Sequence, residues 1–243
     1  MTDAHVHLGC LFAKGEFPVD YATVLTVAKC KDALMAGFTT FRDAGSVSEG
    51  LKLAFDEGVL PGPRIYPCGA YISQTCGHGD SEYAHTYRDI QYRHPSSTVL
   101  VDGVPEIIRA VREQFYRGAS HIKLMATEIL NRHEDIRLLF GTDMMITGPD
   151  YQVEQSEDIR YYEKRFGTMR ALRALTGTAN EVFALTTYQN PYPKGKIGVL
   201  EAGSYADLLL VDGDPTKSVS VLADTDHLRL IMKGGTVYKN TLC

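Results

Sequence analysis

Near the start of the chain, "TDAHVHLG" places His5 and His7 two residues apart. On an extended strand that spacing turns both imidazoles to one face. Neutral imidazole is a ligand for zinc and other borderline metals. The pair alone is weak evidence, since two histidines on a strand also serve as solvent-facing or core hydrogen-bonding groups. Lys123, between Ile122 and Leu124 in "SHIKLMA", has two readings. It is an edge lysine reaching water along its stem, or a lysine carboxylated by CO2 and so turned into an anionic bridge between metal ions. Asp143 ends the apolar run "LLFGTD", either as a catalytic carboxylate at a strand end or as a helix N-cap. In the loop "QTCGHGD", His78 and Asp80 are substrate contacts or solvated loop residues. Arg42 and Asp43 could form a structural ion pair, and His85, His94, His133 and His227 show no ligand spacing.

The elements that must position these residues repeat one syntax: helix, glycine stop, short strand. "YATVLTVAKCKDALMAG" is helix-like up to Gly37 and precedes the strand-like "FTTFRD". "SEGLKLAFDEG" stops at Gly58 before "PRIYPCGA", and "VPEIIRAVREQFYRG" stops at Gly118 before "ASHIKLMA". Glycine just past the last apolar turn supplies the left-handed cap that reverses the chain. In the third helix Val104, Ile107, Ile108, Val111 and Phe115 follow the helical repeat, which predicts one buried stripe. Strands alternating with helices indicate a parallel sheet with crossover helices. Four strands are expected, at His5, Phe38, Ile65 and Ile122, and a fifth in "DIRLLFGTDMM". A helical region, roughly "GTMRALRALTGTANEVFAL", follows. The tail turns strand-rich, with Gly234-Gly235 as a hairpin turn. The polar "TTYQNPYPKGK" marks a boundary near 186–196.

Composition sets the outer limits. The 243 residues are 44% hydrophobic and 23% charged, as in ordinary globular proteins. A net charge of -5 offers none of the basic excess typical of nucleic-acid binding. No run approaches the roughly 18 apolar residues of a membrane span. The five cysteines form no C-x-x-C pair, which argues against a disulfide scaffold or a cysteine zinc site. A cytoplasmic location is expected for the chain as given, with any export signal lost if an N-terminal segment is missing.

Six segments in order resemble the metal-dependent amidohydrolase superfamily, in its imidazolonepropionase-like and prolidase-like branch. They are "DAHVHLG", "AGFTTFRDAG", "PGPRIYPCGAYISQTCGHGD", "GASHIKLMA", "FGTDMM" and "GVLEAGSYADLLLVDGDP" with "IMKGGTVYKN". The resemblance implies a (β/α)8 barrel with a small β-sandwich attached. It makes His5 and His7 metal ligands, Lys123 a carboxylated lysine and Asp143 both a ligand and the catalytic proton acceptor. His78 becomes a substrate contact. The cofactor expected is divalent metal, zinc first, with two ions in the family and one or none here. The reaction implied is attack of metal-activated water on the carbonyl of a C–N bond, in a small amide or dipeptide substrate.

The chain also departs from that pattern. The family uses two further histidines between the lysine and the aspartate, yet only 19 residues separate Lys123 from Asp143. One βαβ unit alone needs about 30. The expectation is therefore an α/β chain holding an incomplete barrel. Residues 1–190 would carry strands one to four and eight, with a gap near 127–132. Residues 191–243 would be the C-terminal β-sandwich portion, without the sandwich strands that precede H-x-H in the family. Unpaired strand edges would favour self-association. Two functions stay open: a hydrolase, or a non-catalytic remnant lacking two ligand histidines.

Overall fold

Strand β1 (Thr2–His7) is buried at every position but His5, as expected of a parallel strand covered on both faces. It lies in a four-stranded sheet of order β3-β2-β1-β6, with β2 (Thr40–Asp43), β3 (Arg64–Tyr66) and β6 (Met144–Met145). All three pairings are parallel. The computed structural model describes residues 1–8, 19–45, 47, 49–75, 77, 79–80, 98–125, 137–145 and 151–242. Helices α1 (Val19–Met35) and α2 (Glu49–Asp56) precede β2 and β3. They end before Gly37 and Gly58, whose φ values of 88° and 73° are the left-handed turns the glycine stops predict.

The expected third strand, "PRIYPCGA", divides. β3 stays with β2, while β4 (Tyr71–Ser73) pairs in parallel with β5 (Thr98–Leu100) in a separate two-stranded sheet. Gly69, at φ 70°, makes the turn between them, and a Cβ there would fall 2.5 Å from Gln114 Oε1. The "GHGD" loop thus follows β4. The strand expected at Ile122 reduces to one bridge, Ile72 with Leu124. Leu124 is exposed, so Lys123 sits beside a sheet edge and not inside a covered strand. Helix α3 (Val104–Tyr116) forms as expected, but of its stripe Val111 packs against the small Ile72 cluster while the first turns do not. Val104, Ile107 and Ile108 are 68%, 38% and 44% exposed, and the helix instead buries Ala110 and Gln114.

The stretch before β6 is extended alongside β1 without being a full strand: Ala4 N donates to Phe140 O at 2.7 Å and Asp143 N to His5 O at 2.8 Å. Helix α4 (Tyr151–Phe166) was not foreseen. Helices α5 (Thr168–Leu175) and α6 (Gly177–Phe183) occupy the expected helical region. β7 (Leu208–Val211), β8 (Leu228–Lys233) and β9 (Thr236–Asn240) form an antiparallel sheet. Gly234 and Gly235, at φ 56° and 84°, make the β8–β9 turn, where two positive φ values suit a two-residue hairpin.

Among the described residues, the largest of three cores joins the four-stranded sheet to the later helices and the tail. Val6, Phe41, Ile65 and Phe140 share a cluster with Ile159, Leu175, Leu222 and Ile231. Polar links also fasten the tail. Arg64 pairs with Asp207, both nearly inaccessible (6% and 7%), and its guanidinium lies 4.3 Å from the centroid of the Tyr205 ring. Glu163 of α4 accepts from Ser218 Oγ, Ser220 Oγ and Val219 N at 2.8, 2.6 and 3.0 Å. No helix among the described residues is long and apolar enough to cross a membrane.

Candidate metal centre

The chemistry-bearing end of β1 faces the end of the 137–143 stretch. His5 Nε2 lies 3.0 Å and His7 Nε2 3.1 Å from the same atom, Asp143 Oδ1. One ligand atom from each of the three residues falls within 4.8 Å of the others. The two rings are 5.4 Å apart, as side chains two residues apart on a strand should be. Lys123 Nζ is 3.1 Å from His5 Nε2. Four of the five predicted site residues therefore converge: His5, His7, Lys123 and Asp143. His78 lies outside the described residues, as do His85, His94, His133 and the 127–132 segment.

Local backbone features make this approach possible. Asp143 adopts φ 56°, a left-handed conformation that aspartate tolerates better than most residues. Gly141 is required beside it, because a Cβ there would stand 2.7 Å from His5 Cβ. Arg42 and Asp43 do not pair with each other. Arg42 Nε donates to Ala4 O at 2.6 Å, and Asp43 accepts from Leu8 N and Val47 N at 3.0 and 3.2 Å. The first bond serves a carbonyl in the stretch where β1 loses register with β2. A backbone acceptor left without a partner there would be costly.

Electrostatics keep the imidazoles neutral. Burial, with a smaller contribution from Lys123, lowers His5 to about 4. Burial likewise lowers His7, against the opposing attraction of Asp143. His5 Nε2 thus sits between Lys123 Nζ at 3.1 Å and Asp143 Oδ1 at 3.0 Å. Among the described residues, buried His7 Nδ1 has no hydrogen-bond partner. Two imidazoles and a carboxylate with ligand atoms gathered this closely are a donor set suited to a divalent cation.

His121 was missed by the sequence reading. It is largely buried, and burial followed by Arg42 lowers it to about 3. Its Nδ1 is 3.0 Å from Ser120 Oγ. The available signal was its spacing, two residues before Lys123. His227 has an ordinary role, with Nδ1 donating to Asp212 O at 2.5 Å.

Residues 1–134 match the Amidohydrolase family. Over 147 residues the chain is 32% identical to the ochratoxinase of Aspergillus niger, a match covering 52% of this chain and 30% of that protein. The chain thus spans less than a third of the curated relatives it matches. Solved structures share its fold, among them these three. An amidohydrolase superposes with a TM-score of 0.83 at 22% identity, covering all of this chain and 86% of the other. A prolidase complexed with N-methylphosphonate-L-proline gives 0.80 at 21%, covering 98% and 86%. A. niger ochratoxinase gives 0.75 at 19%, covering 99% and 82%. With the family match extending over more than half of its residues, the chain belongs to the amidohydrolase family.

Proposed function

We propose that this chain is a metal-dependent hydrolase of C–N bonds in small amides or dipeptides. The observation that carries the reading is the convergence of His5 Nε2, His7 Nε2 and Asp143 Oδ1 on one point, with a ligand atom of each within 4.8 Å of the others. The relatives point the same way, since they include an ochratoxinase and a prolidase. On this reading residues 1–190 form part of a (β/α)8-type barrel and residues 191–243 a β-sandwich portion.

His5, His7 and Asp143 would hold the cation, zinc being the expected one, with Lys123 as a fourth donor. A divalent cation there supplies Lewis acidity, lowering the pKa of water and polarising a carbonyl. The chain's own residues do the rest. His5 and His7, kept neutral by burial, present lone pairs without first losing a proton. Asp143, whose side chain is 69% exposed, is accessible to take a proton from attacking water and return it to the leaving nitrogen. Lys123, as the free amine, can add CO2: the N–C bond forms, one proton leaves, and a carbamate anion replaces the cation beside His5. His78 is the substrate contact on this reading.

A second reading, metal binding without turnover, draws on one observation. Among the described residues the cluster offers three donors of the usual kind, where the family pattern uses two more histidines. Catalytic zinc works with three protein ligands and an open position, so three donors suffice for the first reading. The test is hydrolysis of Xaa-Pro dipeptides and N-acyl amino acids by zinc-loaded protein. Turnover that disappears in Asp143→Asn supports the hydrolase. Stoichiometric zinc without turnover supports the second reading.

A further inference from the structure

We infer that Asp3 is a positioning residue that sets the separation between His5 and Asp143, an inference that rests on the metal-centre reading above. Asp3 is fully buried, and its two oxygens face the segments that carry the ligands. Oδ1 accepts from His5 N at 3.1 Å and from Thr142 N at 3.2 Å. Oδ2 accepts from Thr142 Oγ1 at 2.9 Å and from Gln155 Nε2 at 3.3 Å. One carboxylate thus bonds the backbone of one ligand and both polar groups of the residue preceding another. Asp143 N donates to His5 O at 2.8 Å, which closes the ring of contacts.

The direction of these bonds separates positioning from general support. Asp3 is registered opposite Phe41 in the β1–β2 pairing, yet none of its four side-chain bonds goes to β2. They go to His5, to Thr142 and to Gln155 of α4, whose side chain is itself 1% exposed. Helix α4 is tied into the same core through Ile159, so Gln155 gives the carboxylate a fixed anchor. Pairing of Val6 with Met144 and the bond from Asp143 N to His5 O bring the two strand ends together. The Asp3 clamp holds them there, and outer partners of this kind typically change metal affinity about 10–100-fold when removed.

The test compares the full chain with Asp3→Asn, Thr142→Val and Gln155→Ala by two readouts. Zinc affinity is measured by competition with a chromophoric chelator, and amide hydrogen exchange is followed on metal-free protein. Asp3→Asn is expected to weaken zinc binding about 10–100-fold. It should also speed exchange at the Thr142 and Asp143 amides, while the Ala44 amide, bonded to Val6 O at 2.7 Å, keeps its protection. Thr142→Val should shift both readouts the same way by less, and it carries the test if Asp3→Asn does not fold. Unchanged zinc affinity and unchanged exchange at Thr142 and Asp143 would overturn the inference. So would loss of protection spread equally to Ala44, which would make Asp3 a general fold residue. If the parent chain takes up no zinc but the exchange pattern appears as expected, the metal reading fails and the clamp stands.

Discussion

Strands β1, β2 and β3 send Val6, Phe41 and Ile65 into a common core, whereas beside the β4-β5 sheet the first turns of α3 carry apolar side chains that face outward. Both regions follow the same sequence syntax, with a helix stopped by glycine and then a short extended segment. Around β1 the pattern meets a partner on each side: α1, α4 and the tail segments all contribute to the cluster containing Val6 and Phe41. Around α3 the same pattern leaves Val104, Ile107 and Ile108 exposed, and the local cluster is small, built on Ile72, Val101 and Ala110. Periodicity specifies a stripe; burial requires a surface opposite it. The metal cluster belongs to the first region, where rigid packing can hold ligands to fractions of an ångström.

The largest difference between the regions should appear on truncating a core aromatic. Phe41 is fully buried, and Phe41→Ala is expected to cost about 3–5 kcal/mol in urea unfolding. A cost below about 1 kcal/mol would erase the contrast. Next comes the buried pair that fastens the tail to β3. Asp207→Ala leaves the Arg64 guanidinium buried without its partner, an expected loss of about 3–5 kcal/mol. It should also release the β7–β9 amides to faster hydrogen exchange. A surface-like loss of a few tenths would show that this pair is not what holds the tail.

Glu163 tests the same joint more gently and with a pH signature. Burial pushes its carboxyl up, but hydrogen bonds from Ser220, Ser218, Thr168 and Val219 outweigh this and leave it below its ordinary 4.5. A carboxyl that is more acidic when folded stabilises the fold above its unfolded pKa. That contribution is lost as pH falls through the folded value. Glu163→Ala should therefore cost roughly 1–3 kcal/mol at pH 7 through the donors left unpaired. The deficit should shrink below about pH 4, as stability curves at several pH values would show. An equal deficit at pH 3 and pH 7 would contradict this origin. The smallest effect belongs to α3: Ile108→Ala is expected to stay within about 0.5 kcal/mol, and a loss of 2 kcal/mol would mean that its face is covered in solution.

Much of the site was legible because its signals are local. The two-residue spacing of His5 and His7, the lysine in "HIKL" and the aspartate closing "LLFGTD" each survive as short words in the sequence. The glycine stops likewise located α1, α2 and α3, since a left-handed turn after an apolar helix has few other solutions. What was not legible depends on contacts distant in sequence. Asp3 reads as an unremarkable residue until Thr142 and Gln155, 139 and 152 positions away, are brought to it. Helix α4 escaped notice because its sequence, "YQVEQSEDIRYYEKRF", is dominated by charge, and it buries only a thin line of side chains, including Gln155 and Ile159. The division of β3 from β4 turns on Gly69, whose need for a positive φ is visible only once Gln114 lies against it.

The central claim is that His5, His7 and Asp143 form a cation site, and metal content measures it most directly. Purified chain dialysed against micromolar zinc and then against metal-free buffer should retain close to one zinc per chain by inductively coupled plasma mass spectrometry. His7→Ala, with its circular dichroism unchanged, should retain almost none. A parent chain that retains no zinc, or a His7→Ala variant that retains as much as the parent, would contradict the account.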